Sequence, residues 1–139
     1  VMLDTDEQTV SAAIAELENE GVIIKYMTVF DREKLHKETV QALIEVKVSP
    51  MYAQGFDAIA AEIGMFDEVK NLYLMSGGFD LAIIIEGKTL KEVAMFVSEK
   101  LSLMDKVLST ATHFILKTYK NEGVTLQETC DAKRLVVHA

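Results

Sequence analysis

The chain has 139 residues, is 50% hydrophobic and carries a formal net charge of −8. That length suits one domain, or one domain with an appendage, and leaves ample apolar material for a core. The acidic balance excludes a broad phosphate-binding surface, because a chain so charged is repelled by nucleic-acid backbones.

The first predicted element is a helix from Thr5 to a stop at Gly21. Thr5 and Gln8 have the spacing of a capping box, and Val10, Ala13, Ile14 and Leu17 recur along one helical face. Gly21 sits where a left-handed C-terminal cap belongs. The next run, Val22 to Phe30 (VIIKYMTVF), is β-branched and aromatic and reads as a strand. Asp31 to Thr39 is a charged connector. From Val40 the even positions Val40, Ala42, Ile44, Val46 and Val48 are apolar, while Gln41, Glu45 and Lys47 alternate with them. That is a strand with one buried face, ended by Pro50. A helix follows over about Gln54 to Met65, with Phe56, Ile59, Ala60 and Ile63 on one side.

Two strands, Val69 to Met75 and Phe79 to Glu86, flank the pair Gly77-Gly78. The second contains LAIII, apolar on both faces, and belongs inside a sheet. Thr89 and Glu92 form a second capping box, ahead of a stripe of Leu90, Val93, Ala94, Val97 and Leu101. A last core strand is predicted from Val107 to Tyr119. The tail from Lys120 to Ala139 is polar until Leu135-Val136-Val137, a candidate edge strand.

The order β-α-β-β-α-β predicts an α+β, ferredoxin-like βαββαβ sandwich, with both helices on one face of an antiparallel sheet. The other face lacks a cover within the chain. It should carry some combination of Leu43, Tyr73, Ile115 and Tyr119, and such a face calls for a partner. A dimer is therefore expected.

Two adjacent glycines permit a tight turn at positive φ and bare the backbone amides to a small molecule. The plain alternative is a hairpin turn with no further role.

QALIEVKVSP, GFDAIA, FDEVKNLYLMSGGFDL, EVAMFVSEKL and VLSTATHFILKTYK, taken in order, resemble the Lrp/AsnC family of transcriptional regulators of amino-acid metabolism. The resemblance runs from Gly21 to about Lys120. It implies a remnant of a winged helix-turn-helix over residues 1–21 and a linker strand and hinge over 22–39. An effector-binding (RAM) and oligomerisation domain then spans 40–120, with a C-terminal tail over 121–139. The domain is expected to associate as a dimeric α/β barrel and further into rings, commonly octamers. Because the chain opens on Val1 with no helices ahead of Thr5, it is expected to be N-terminally truncated. The retained helix has Glu7, Glu16, Glu18 and Glu20 but no lysine or arginine, so DNA is expected to be contacted only through the intact helix-turn-helix of the parent protein.

The resemblance also implies an amino-acid effector, held between dimers by Met75, Ser76, Gly77, Gly78, Phe79 and Asp80, joined by Thr110 and Thr112. The chemistry suits that ligand. Bared amides at Gly77 and Gly78 can take a carboxylate, Asp80 can accept from an ammonium group, and threonine hydroxyls do both. Read from the residues alone, Asp80 can equally cap a backbone amide at the turn, and the threonines can be ordinary strand residues.

No cofactor or metal is expected, and no enzyme. His36, His113 and His138 lack ligand-like spacing, and Ser76-Gly77-Gly78 has no lysine after it, unlike a phosphate loop. No apolar run approaches the ~20 residues of a membrane helix, and the acidic start VMLDTDEQTV is no signal peptide. Cys130 is the single cysteine, so no internal disulfide forms, which suits a cytoplasmic location. Two alternatives stay open: a ligand-free oligomerisation module, and a small ferredoxin-like enzyme.

Overall fold

The computed structural model describes residues 6–32, 34–35, 39–49 and 55–126. It divides into two compact units that meet in sequence between Phe30 and Asp31.

The first unit holds helix α1, Glu7–Asn19. Its N-cap is Asp6, whose carboxylate accepts from the Thr9 amide at 2.7 Å. The cap therefore lies one residue beyond the expected Thr5, which is outside the described residues. Aspartate is the stronger acceptor at this position. The same hydrogen bond holds the Asp6 carboxyl below the usual carboxylate range. The helix ends as expected at Gly21, with φ at +71°. The Gly21 amide donates to Glu18 O at 3.1 Å and the Val22 amide to Leu17 O at 2.9 Å. Those two bonds make the paired Schellman closure, which only a residue comfortable at positive φ allows.

The expected strand over Val22 to Phe30 is not formed. The segment joins no ladder, and Ile24 and Met27 stand 90% and 78% exposed. Strand propensity supplies no hydrogen-bond partner, and among the described residues none pairs with it.

The second unit contains β1 (Val40–Val48), α2 (Asp57–Gly64), β2 (Val69–Leu74), β3 (Leu81–Gly87), α3 (Leu90–Met95) and β4 (Val107–Ile115). It is the α+β, ferredoxin-like arrangement. The sheet has four antiparallel strands in the order β2-β3-β1-β4. As expected, apolar β3 is interior.

Strand alternation divides the residues of β1 cleanly. Ala42, Ile44, Val46 and Val48 are buried against the helices, with Leu81, Ile83 and Ile85 of β3 and Ile59, Ile63, Val93, Phe96 and Leu101. Each large aliphatic side chain buried this way contributes roughly 1.5–3 kcal/mol. Leu43, Glu45 and Lys47 take the opposite face. Register places Leu43 between Ile84 and His113, and Gln41 beside Ile115. On this uncovered face Tyr73 is 50% and Ile115 38% exposed. His113 lies there too, its Nε2 3.3 Å from Glu45 Oε1.

Beyond shifts of one to three residues at the ends of α2, β2 and β3, three larger departures from expectation stand out. Strand β4 stops at Ile115, opposite Gln41, and β1, which starts at Val40, offers nothing to pair with residues 117–119. Tyr119 is therefore not on the sheet face. Residues 120–125 instead make a small hairpin, β5 (Lys120–Asn121) and β6 (Val124–Thr125), turning at Glu122 and Gly123, both with positive φ. The candidate strand Leu135–Val137 lies outside the described residues, as do Pro50, Gln54, Cys130, His36 and His138.

The third difference is in the second helix of the sandwich. Thr89 caps α3 as expected, accepting from the Glu92 amide at 3.1 Å, while the Glu92 carboxylate takes the Lys88 amide at 2.7 Å. After Met95 the helix widens into a π turn over Phe96–Lys100, in which the Leu101 amide reaches back to Phe96 O. The wider turn shifts the phase only of residues beyond Phe96, and upstream of it the buried face is centred on Val93 and Phe96, off the expected stripe. Phe96 is buried, packing edge-on to Phe66 at 5.5 Å, whereas Leu90 is 57% exposed and Ala94 is exposed.

Candidate effector loop

The connection between β2 and β3, residues 75–80, contains every loop residue singled out from the sequence. The Met75 amide donates to Asp80 O at 2.8 Å and closes the loop at its neck. Two further bonds tie the neck to β1. The Asp80 amide donates to Val46 O at 3.0 Å, and the Asp80 carboxylate accepts from the Val48 amide at 2.9 Å. Met75, Ser76, Gly77 and Gly78 are exposed, and Phe79 and Asp80 half-buried.

Of the two glycines, only Gly77 has a positive φ, +149°. At both positions a Cβ would meet nothing within 4 Å. Gly77 is thus required by the backbone, while Gly78 simply leaves its surroundings bare. Gly77→Ala is expected to cost about 1 kcal/mol through backbone strain, and Gly78→Ala to be neutral or slightly stabilising. Thermal melts of the two variants check this. The pair then separates the two uses of the glycines, because a loss of ligand affinity in the stable Gly78→Ala variant reports on ligand approach alone.

Thr110 and Thr112 lie on β4, opposite Val46 and Ile44. Both are half-buried and on the helix-facing side of the sheet. Val46 pairs with Leu81 on its other side, so Thr110 is two strand spacings, roughly 10 Å, from the foot of the loop. Thr112 is about 7 Å further along. Within one copy the structure therefore brings Thr110 to the same end of the sheet as the loop and leaves Thr112 nearer its middle.

At the opposite end, a cleft of about 260 Å³ opens between β3 and the widened helix. Ile85, Val93 and Phe96 line it with apolar surface, and Glu68 and Lys100 form an ion pair beside it. Sequence reading missed it, although Phe96 stands three residues after Val93 on the same helical face, a spacing that could have found it. The hydrogen bond from Lys100 holds the Glu68 carboxyl below its ordinary range, against a smaller desolvation effect. A depressed folded pKa contributes stability that is present above the ordinary glutamate value and is lost as pH falls through the folded one. Both side chains are more than a third or about a third exposed, so the contribution is at most about 1 kcal/mol. Glu68→Gln is expected to lower stability slightly near neutral pH, and the difference from the unsubstituted chain to shrink as pH falls below the ordinary glutamate range, as read by denaturant melts over a pH series.

Among the described residues no group of three or more histidine, cysteine or acidic side chains is placed to hold a metal ion. No helix among them is long and apolar enough to cross a membrane.

The comparisons converge. The family described as Lrp/AsnC ligand binding domain matches residues 41–125. The uncharacterized HTH-type transcriptional regulator YugG of Bacillus subtilis (strain 168) is 48% identical over 129 residues, 92% of this chain and 78% of that one. Among solved structures, AsnC of E. coli superposes with a TM-score of 0.68 at 16% identity, covering 86% of this chain and 78% of that one. The Neisseria meningitidis regulator NMB0573, solved as its L-Met complex, gives 0.67 at 20% identity, covering 85% and 76%. At such identities the two structures speak for the fold.

Proposed function

The chain belongs to the Lrp/AsnC family of transcriptional regulators, and from that premise we propose that its second unit senses an amino acid and holds copies of the chain together. The observation that carries the reading is the 75–80 loop, which is exposed and bare at Gly77-Gly78 yet fastened to β1 at its neck. A rigid neck and free amides suit the carboxylate of a small ligand, which binds with less ordering cost where the site is already formed. The L-Met complex of the Neisseria regulator supports the ligand class.

The ligand sits at a seam between dimers, with Met75 to Asp80 on one side and Thr110 and Thr112 contributing from β4. Dimers form through the uncovered sheet face around Leu43, Ile84 and Ile115, and assemble further, up to octamers. A ligand that binds one assembly about tenfold better than another shifts their balance by ~1.4 kcal/mol, and equivalent seams multiply the bias. DNA is read by the helix-turn-helix of the parent protein. The chain acts in the cytoplasm and performs no catalysis.

Calorimetric titration of the chain with each common amino acid tests the reading. Heat and a raised melting temperature with at least one of them are expected. Silence across the whole panel removes the sensing role. In the alternative, Met75 and Phe79 fill the seam themselves and the domain is a ligand-free assembly module. The 41% exposure of Met75 in the single copy favours considering it, and the same silent titration would favour adopting it.

A further inference from the structure

We infer that Asp80 is the positioning residue of the effector loop: its carboxylate latches the loop to the end of β1 and is not the ligand's ammonium partner. This rests on the amino-acid reading of the loop given above.

The argument starts from the ladder between β1 and β3, whose last paired residues are Val46 and Leu81. Beyond Leu81, going backwards, the chain turns away into the loop. Hydrogen-bonding groups two residues apart on a strand face the same neighbour. The Val46 carbonyl faces β3 and receives the Asp80 amide at 3.0 Å. The Val48 amide faces the same way, two residues on, where β3 has no carbonyl left to offer. Val48 is only 3% exposed, so its donor would be left without a partner away from water. The Asp80 carboxylate supplies the missing acceptor at 2.9 Å.

Asp80 thus uses its amide, its carbonyl and one carboxylate oxygen to join three points: Val46, Val48 and Met75. The two ends of the loop are pinned to each other and to a core strand by one residue. Ser76 to Phe79 are left to present backbone groups outward. A carboxylate so engaged is oriented by β1, and its function depends on its shape and its acceptor oxygen, not on its charge.

Two substitutions separate shape from charge. Asparagine keeps the acceptor oxygen and the length but has no charge, and alanine keeps neither. Hydrogen–deuterium exchange at the Val48 amide reads the latch with no ligand present. Calorimetry with L-methionine reads the loop. Asp80→Asn is expected to keep Val48 protected and L-methionine affinity within about threefold, while Asp80→Ala speeds Val48 exchange and weakens binding by about tenfold or more.

The inference is overturned if Asp80→Ala leaves Val48 exchange unchanged. It is overturned equally if Asp80→Asn loses L-methionine as fully as alanine does while Val48 stays protected, since charge is then what the ligand needs. Should Asp80→Ala fail to fold, Asp80→Asn decides alone: protection and binding both kept support the latch, and loss of either removes it. If L-methionine gives no heat with the unsubstituted chain, it is the ligand reading that suffers, and Val48 exchange still decides the latch.

Discussion

Leu43→Glu is expected to leave the chain folded but monomeric at concentrations where the unsubstituted chain is a dimer. Leu43 is on the uncovered face of β1, between Ile84 and His113, and contributes nothing to the helix-side core. In a dimer formed through this face, each copy loses a buried leucine worth roughly 1.5–3 kcal/mol and gains a carboxylate facing apolar surface. Counting both copies, the dissociation constant rises by about two to four orders of magnitude. Glu45 stands two residues along on the same face, so the added charge also meets its own kind. Sedimentation over a concentration series, with circular dichroism to verify the fold, makes the measurement. A Leu43→Glu chain that dimerises as before would show that the copies meet elsewhere.

Ile44→Ala, the next residue along, should act in the opposite way. Ile44 is fully buried, paired with Ile83 on one side and Thr112 on the other. Removing its branched side chain leaves a cavity in a packed interior and costs about 2–5 kcal/mol. Against a typical total of 5–15 kcal/mol, that is a large share. For a domain of this size the melting temperature should fall by roughly 5–20 °C. The oligomeric state of the surviving folded fraction should not change, because the side chain points away from the uncovered face. A shift below about 1 kcal/mol would mean that the helices do not close over β1 as described. The two neighbours thus test the two faces of one strand.

Much of this was legible in the alternation of VQALIEVKV, which assigns Ile44 and Leu43 to opposite faces without any tertiary information. The apolar LAIII segment likewise placed β3 inside the sheet. Gly21 and Thr89 marked helix ends because capping chemistry is local. What escaped was what depends on partners or on hydrogen bonds between distant residues. The strand-like run Val22 to Phe30 has the right residues but no neighbouring backbone among the described residues. The stripe drawn from Leu90 was set off-centre: the buried face runs through Val93 and Phe96, with Leu90 exposed, and the π turn at Phe96–Lys100 comes only after it. At the candidate site, the sequence supplied the loop and its bare glycines. It offered Asp80 two roles, ligand partner or cap of an amide at the turn, and it could not name the amide its carboxylate takes, that of Val48, 32 residues away in the chain. The resemblance brought Thr110 and Thr112 into the candidate set, and within one copy they stand apart from the loop.

The widened turn after Met95 has a practical consequence. Phe96 and Leu101, at its two ends, face the interior, while Lys91 and Ala94, upstream of it, stay exposed on the outer flank of α3. That flank is on the helix side of the sandwich, away from the bare sheet surface. A fluorophore or spin label attached there would stand clear of both the uncovered sheet face and the glycine bend.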